Sequence, residues 1–244
     1  MDYDPVHARV AGRDPALPKP LAALFPDSFV ESELGGIPKG WAIKSLDELT
    51  SYLNRGISPA YVEDGGVLVL NQKCVRDGRV DTAKGRRHDT GKKSITGRTL
   101  LSGDILVNST GVGTLGRVAQ IVDLDEDTIV DSHVTVVRAD GTGTTWNFLG
   151  LALCAREAEI ETLGEGSTGQ TELSRSRLGR LPVITPGSRV LAEFDRLCLP
   201  LRKKVATNER STRTLASVRD TLLPKLISGE VRVTDPERVI RERT

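Results

Sequence analysis

The 244-residue chain has only three cysteines, three histidines, one methionine and 4% aromatic residues. Cys74, Cys154 and Cys198 stand far apart, with no CxxC pair among them. Isolated cysteines in odd number build no disulfide framework and fit a reducing compartment. His7, His88 and His133 show no metal-ligand spacing, and no Cys–His cluster exists, so no bound metal is expected. No apolar run approaches the roughly 20 residues that a membrane helix needs. The N-terminal MDYDPVHARV does not read as a signal peptide, so a cytoplasmic protein with no membrane partner is expected. The charge of one sign is also missing in excess: 34 Lys+Arg against 33 Asp+Glu leave a net charge of +1. Such a balance neither announces nor excludes a polyanion, because clustering decides that question.

Complete catalytic signatures are absent as well. TGVGTLGR (110–117) contains a GxGxxG, but the following RVAQIVD reads as strand. A dinucleotide site requires a helix there, with its N-terminus on the pyrophosphate. The segment therefore reads as a glycine-rich hairpin turn. GRRHDTGKKS (85–94) spaces its glycines wrongly for a phosphate loop and follows no strand. No acid pair with a downstream Glu-x-Lys and no NPPY or DPPY string occurs. No catalytic residue is assigned, and a binding role gains weight.

What the chain does have is a 38% hydrophobic content, enough for a sizeable core. Residues 1–36 carry five prolines without sustained periodicity and read as an extended or loosely packed lead-in. From Ile37, IPKGWAIKSLDELTSYLNRG (37–56) reads as strand then helix, with Ser45 and Glu48 as a capping box. Strands are expected in VLVLN (67–71), DILVNS (104–109), GRVAQIV (116–122), HVTVVRA (133–139) and LPVITP (181–186), and a helix after Thr145. Several strands in succession favour an α+β, β-rich domain over 37–186.

From Ser188 to about Leu223, apolar residues recur at helical spacing: Val190, Phe194, Leu197, Leu201, Val205, Leu215, Val218 and Leu222. A helix of that span is roughly 54 Å long, more than the domain's own core needs, so it is expected to pair with another helix. Asn208 falls near the stripe, where a polar residue can fix register. Pro200 predicts a kink and Pro224 an end to the regular helix. The helix region spans 187–233, and a charged tail follows over 234–244.

Charge is clustered between residues 73 and 98, where nine Lys/Arg face three Asp. Lys73, Arg76, Arg79, Lys84, Arg86, Arg87, Lys92 and Lys93 are the candidates for DNA phosphates, against the plain alternative of a solvated loop. Two glycine-rich polar loops add candidates for base or phosphate contact: Asn108, Ser109, Thr110 and Arg117 in one, and Ser167, Thr168, Gln170, Thr171, Arg175 and Arg177 in the other. The alternative for both loops is a pair of surface turns without a ligand.

FPDSFVESELGGIPKGW (25–41), GDILVNSTGVGTLGRVA (103–119), GSTGQTELSRSRLGRLPVITP (166–186) and NERSTRTLASVRDTLLPKLISGEVRV (208–233) occur in that order. Together they resemble the specificity subunit of type I restriction–modification systems, in a half-length form with one recognition domain. The resemblance implies a DNA target-recognition domain followed by a long spacer helix that pairs as a coiled coil. It implies that one half of a split double-stranded DNA site is read. It also implies methyltransferase and restriction/translocase subunits as partners, with S-adenosylmethionine, ATP and magnesium on those partners and no cofactor on this chain. The lone helix is expected to pair with that of a second copy, giving a homodimer. The readings from other classes are a small stand-alone nuclease and an assembly decoy that pairs with other specificity subunits.

Overall fold

The computed structural model describes residues 4–166 and 171–232. In chain order the elements are α1 (Pro5–Val10), α2 (Lys19–Ala22), β1 (Phe29–Ser32), β2 (Gly35–Pro38), β3 (Ala42–Ser45), β4 (Thr50–Arg55), β5 (Tyr61–Val62) and β6 (Val67–Leu70). Then follow β7 (Val75–Arg76), β8 (Arg79–Val80), β9 (Arg86–His88), β10 (Ile105–Asn108), β11 (Val118–Gln120), β12 (Thr128–Val130) and β13 (Val134–Ala139). The chain continues through α3 (Trp146–Cys154), α4 (Glu157–Thr162), α5 (Arg175–Gly179), β14 (Pro182–Thr185) and α6 (Ser188–Ile227). This is the β-rich α+β architecture with a long C-terminal helix expected from the sequence.

An antiparallel sheet of order β11–β10–β13–β4 lies at the centre. Strands β10, β11 and the first four residues of β13 are buried on both faces, which fits the almost unbroken apolar runs ILVN and VTVV, while edge strand β4 is only half-buried. Ile105, Val107 and Val137 belong to one hydrophobic cluster with Leu149 and Leu153 of α3, Ile160 of α4, Leu178 of α5 and Val183 of β14. Leu106, Val134 and Val136 belong to the other, with Leu68 and Leu70 of β6, Cys74, Val75 and Val130. A second sheet of order β12–β6–β9–β5 supplies part of that second cluster. The approach of β12 to the end of β4 is close: a Cβ at Gly56 would collide with the carbonyl oxygens of Val130 and Asp131.

Three local expectations change. The helix predicted after Ser45 is one 3-10 turn, Asp47–Leu49, and then strand β4. Only half of the Ser45–Glu48 box forms: the Ser45 N–H donates to the Glu48 carboxylate at 2.8 Å, and the Ser45 hydroxyl donates to the same carboxylate and does not cap the turn. The helix stops at a single turn because SYLNR is more stable paired with β13, where Leu53 faces Val137. The lead-in is likewise ordered over its described part. Asp4 caps α1 by accepting from the Val6 and His7 N–H groups, and Arg9 donates to the carbonyls of Ala22 and Phe25. Val6 and Ala8 are buried. Finally, the long helix runs on past Pro200 and Pro224 to Ile227, and beyond it Gly229, with φ of 76°, lets the Val231 N–H reach the Lys225 carbonyl at 3.1 Å.

The chain divides into two compact units, Met1–Leu199 and Pro200–Thr244. Within the first, the base of α6 is bolted to α3. Asp195 accepts from the Thr145 hydroxyl at 3.0 Å and the Asn147 amide at 3.1 Å, and Phe194 meets Phe148 edge-on at 5.6 Å. Phe194, assigned from the sequence to a partner helix, therefore packs on its own domain, and Val190 is half-buried. The second unit leaves Leu201, Val205, Leu215, Val218 and Leu222 exposed. No described helix is long and apolar enough to cross a membrane.

A partly buried ion pair ties β13 to the start of β10. Arg138 makes a bidentate pair with Asp104 at 2.7 Å on both arms, and Asp104 also accepts from the Leu101 N–H. The Asp104 side chain is fully buried, and its hydrogen bonds raise the pKa of Arg138. Removing Arg138 leaves the fully buried Asp104 carboxylate uncompensated. Arg138→Met is expected to lower the unfolding free energy in urea by about 3 kcal/mol; a loss under about 1 kcal/mol would refute this account of the pair.

Candidate nucleic-acid interface

One end of the central sheet gathers the end of β4, the β10–β11 connection and the start of β13. The two polar loops picked from the sequence meet there. The Leu173 N–H donates to the Ser109 carbonyl at 2.8 Å, and Thr110 pairs with Glu172 as an antiparallel bridge. The neck of the second loop is closed by reciprocal Glu165–Glu172 backbone bonds of 2.9 and 2.8 Å. Arg55 at the end of β4 fastens the junction by binding the Glu172 carboxylate and, at 2.7 Å, the Leu173 carbonyl. Arg175 reaches the Asn54 side chain at 2.9 Å.

Burial reassigns two of the candidates. Asn108 and Ser109 have no exposed surface. Asn108 donates to the Gln72 carbonyl at 3.0 Å, and the Ser109 hydroxyl lies 2.5 Å from that of Thr135. They brace the loop from inside. Thr110 is half-buried and shares a 2.6 Å hydrogen bond with exposed His133. Ser167, Thr168 and Gln170 lie outside the described residues.

The basic window of the sequence divides into two groups. Lys73, Arg76 and Arg79 lie on the Gln72–Cys74 turn and the β7–β8 hairpin, which is packed on β11 through a Gly78–Ala119 bridge. The hairpin turns on Asp77 and Gly78, with φ of 52° and 69°, the conformation that a two-residue Asp-Gly turn supplies. All three cations are exposed, and Arg76 lies 3.4 Å from the adjacent Asp77 carboxylate. In the second group, side chains are held more by the protein. Arg87 pairs with both carboxylate oxygens of Glu126, Lys93 donates to the Ser58 carbonyl at 2.8 Å, and Arg86 stacks 3.5 Å over the Tyr61 ring. Lys84 pairs with Asp81 at 3.0 Å and Lys92 lies 3.9 Å from Asp89, both exposed. Solvent-exposed pairs like these are worth little and exchange readily for a phosphate.

His88 is fully buried within this segment. Its Nδ1 accepts from the Ala60 N–H at 2.9 Å, so the neutral ring donates from Nε2 to the Lys93 carbonyl at 2.8 Å. It staples the 89–93 loop to the sheet. Sequence reasoning passed over Arg55, whose position at a strand end carries no motif. His133, weighed in the sequence only as a metal ligand, meets Thr110, 23 residues away. Among the described residues no group of three His, Cys, Asp or Glu comes together as a metal site. A cleft of about 480 Å3 beside α5 is lined by Glu159, Glu165, Ser174, Arg177 and Arg180, where acids offset bases.

The arrangement is a β-rich body whose loop end presents polar groups and cations, followed by a long helix. No family model matches the chain. The specificity subunit of the type I restriction enzyme MjaIX of Methanocaldococcus jannaschii is 24% identical over 202 residues, covering 82% of this chain and 46% of that protein. That of the enzyme HindI of Haemophilus influenzae is 22% identical over 229 residues, covering 86% and 47%. In fold, the chain resembles one from a structure concerned with complex assembly and conformational transition of the type I restriction–modification system. The TM-score is 0.53, with 14% identity and coverage of 89% of this chain and 49% of that one. The resemblance read from the sequence thus holds over most of the chain: its curated relatives are type I restriction enzyme specificity subunits. The chain spans about half the length of those relatives.

Asp131 lies at the foot of this site, 3% exposed, and accepts from the His133 N–H at 2.9 Å. Burial raises its carboxyl above the usual 3.8. A carboxyl whose folded-state pKa is raised costs stability above that pKa, and the cost disappears below the unfolded value. Asp131→Asn keeps the acceptor for His133 and removes the buried charge. It is expected to raise the thermal midpoint by a few degrees at pH 7, with the gain vanishing as pH falls toward 3.8. A variant less stable than the parent at pH 7 would contradict this.

Proposed function

We propose that the chain is the sequence-specific DNA-recognition subunit of a type I restriction–modification complex, reading one half of a bipartite site. The observation that carries this reading is the similarity to specificity subunits over more than four-fifths of the chain. The loop end of the sheet supports it, with exposed cations beside polar loops whose glycines let backbone approach a duplex. In this reading the chain itself catalyses nothing. Methyltransferase and restriction subunits dock on it and bring S-adenosylmethionine, ATP and magnesium. The exposed helix stripe pairs with the same helix of a second copy, because a row of apolar side chains in water is favourable to cover.

Methylome sequencing of cells carrying this gene with its methyltransferase tests the reading: a split motif should appear, and its two halves should be palindromic if identical copies pair. Absence of any new methylated motif would count against the DNA-recognition reading. With the motif in hand, Lys73→Ala/Arg76→Ala is expected to reduce the slope of log K against log salt by about two. An unchanged slope would remove these residues from the phosphate contacts. Light scattering at micromolar concentration should find a dimer that Leu201→Glu/Leu215→Glu converts to monomer; a wild-type monomer would sink self-pairing.

A further inference from the structure

Val112 is 87% exposed, more than any other large hydrophobic among the described residues. A single exposed apolar residue is ordinary in itself. What is not ordinary is how firmly this one is held outward. Gly111 and Gly113, on either side, have φ of 105° and 68°, conformations that a side chain would strain. The Thr114 and Leu115 N–H groups donate to the Gly111 carbonyl at 3.1 and 3.0 Å, and the Thr114 hydroxyl donates to the Thr110 carbonyl at 3.3 Å. The Arg117 guanidinium donates to the Gly113 carbonyl at 2.7 Å, and the Gly116 N–H closes the neck on the Asn108 carbonyl at 2.9 Å. Valine is stiff at χ1, so the tip loses little freedom on contact.

The surroundings say what such a tip fits. A Cβ at Gly111 would lie 3.7 Å from the Gln72 side chain, which places the tip beside the turn carrying exposed Lys73. Arg117 lies on the loop itself. One small aliphatic tip is a poor anchor for a protein interface, whose strong positions are Trp, Tyr and Arg, with Val under-represented. A duplex groove matches better: phosphates flank it, and the major groove contains one apolar substituent, the C5-methyl of thymine. We infer that Val112 enters the major groove of the recognised half-site and packs on a thymine C5-methyl, with Lys73 at a flanking phosphate.

This inference rests on the DNA-recognition reading, and the test separates the two. The probe is the duplex found by methylome sequencing, assayed against a scrambled duplex by fluorescence anisotropy. Wild-type chain that does not prefer its own site defeats the underlying reading before Val112 is touched. Given that preference, Val112→Ala is expected to weaken specific binding roughly five- to tenfold, with little change on the scrambled duplex. Replacing one thymine of the half-site by uracil, which lacks the methyl, is expected to weaken wild-type binding by a similar factor. The same replacement should cost Val112→Ala almost nothing further, a coupling that general destabilisation of the loop does not produce. Unchanged affinity, equal loss on both duplexes or indifference to uracil at every thymine would overturn the inference. So would a Val112→Ala chain that binds DNA normally but no longer retains the methyltransferase subunit. Unaltered thermal unfolding of Val112→Ala confirms that the comparison is between folded proteins.

Discussion

Burial of β10, β11 and the first part of β13 on both faces underlies the rest of the molecule. Alternate residues of β10 face two different clusters: Ile105 and Val107 look toward the helices, and Leu106 looks toward the second sheet. Each fully buried Leu, Ile or Val is worth about 1.5–3 kcal/mol relative to exposure, so a one-residue slip of register exchanges both clusters at once. That makes the strand ends stiff reference points. Polar side chains at those ends take their positions from the core and need few bonds of their own.

Hydrogen bonds at the loop end follow the same logic. Asn108 and Ser109 are spent inward, on Gln72 and Thr135, and so hold the turn against the body. Leu173, fully buried, pulls the second loop down onto the first through its bond to Ser109. The residues left facing solvent, among them Lys73, Val112, His133 and Arg175, are carried on braced backbone. Preorganisation of this kind reduces the ordering entropy lost on association, which is where specificity gains most.

The long helix joins two different environments. Its first turns are fixed to α3 by Asp195 and Phe194, and its later turns expose an apolar stripe. Each proline within it forfeits a backbone hydrogen bond, yet forty residues of helix run through both. Cooperativity of the flanking turns outweighs the two local losses.

The sequence by itself determined the elements whose signals are local and strong. The period of α6, the apolar runs of β6, β10 and β13, the Thr145 cap and the hairpin at Gly111–Gly116 all follow from side-chain spacing, β-branching and glycine. Resemblance of ordered strings reached the relatives as well. Tertiary structure decided what depends on partners distant in the chain. It made β4 a strand where a capping box promised a helix, because β13 offers Leu53 a partner 84 positions away. It turned Asn108 and Ser109 from ligand candidates into braces, and Phe194 from a pairing residue into a domain contact. It also divided one basic window into exposed cations and cations held by Glu126, Tyr61 and the Ser58 carbonyl. Composition counts charges, but only three-dimensional proximity determines which of them a group distant in the chain holds.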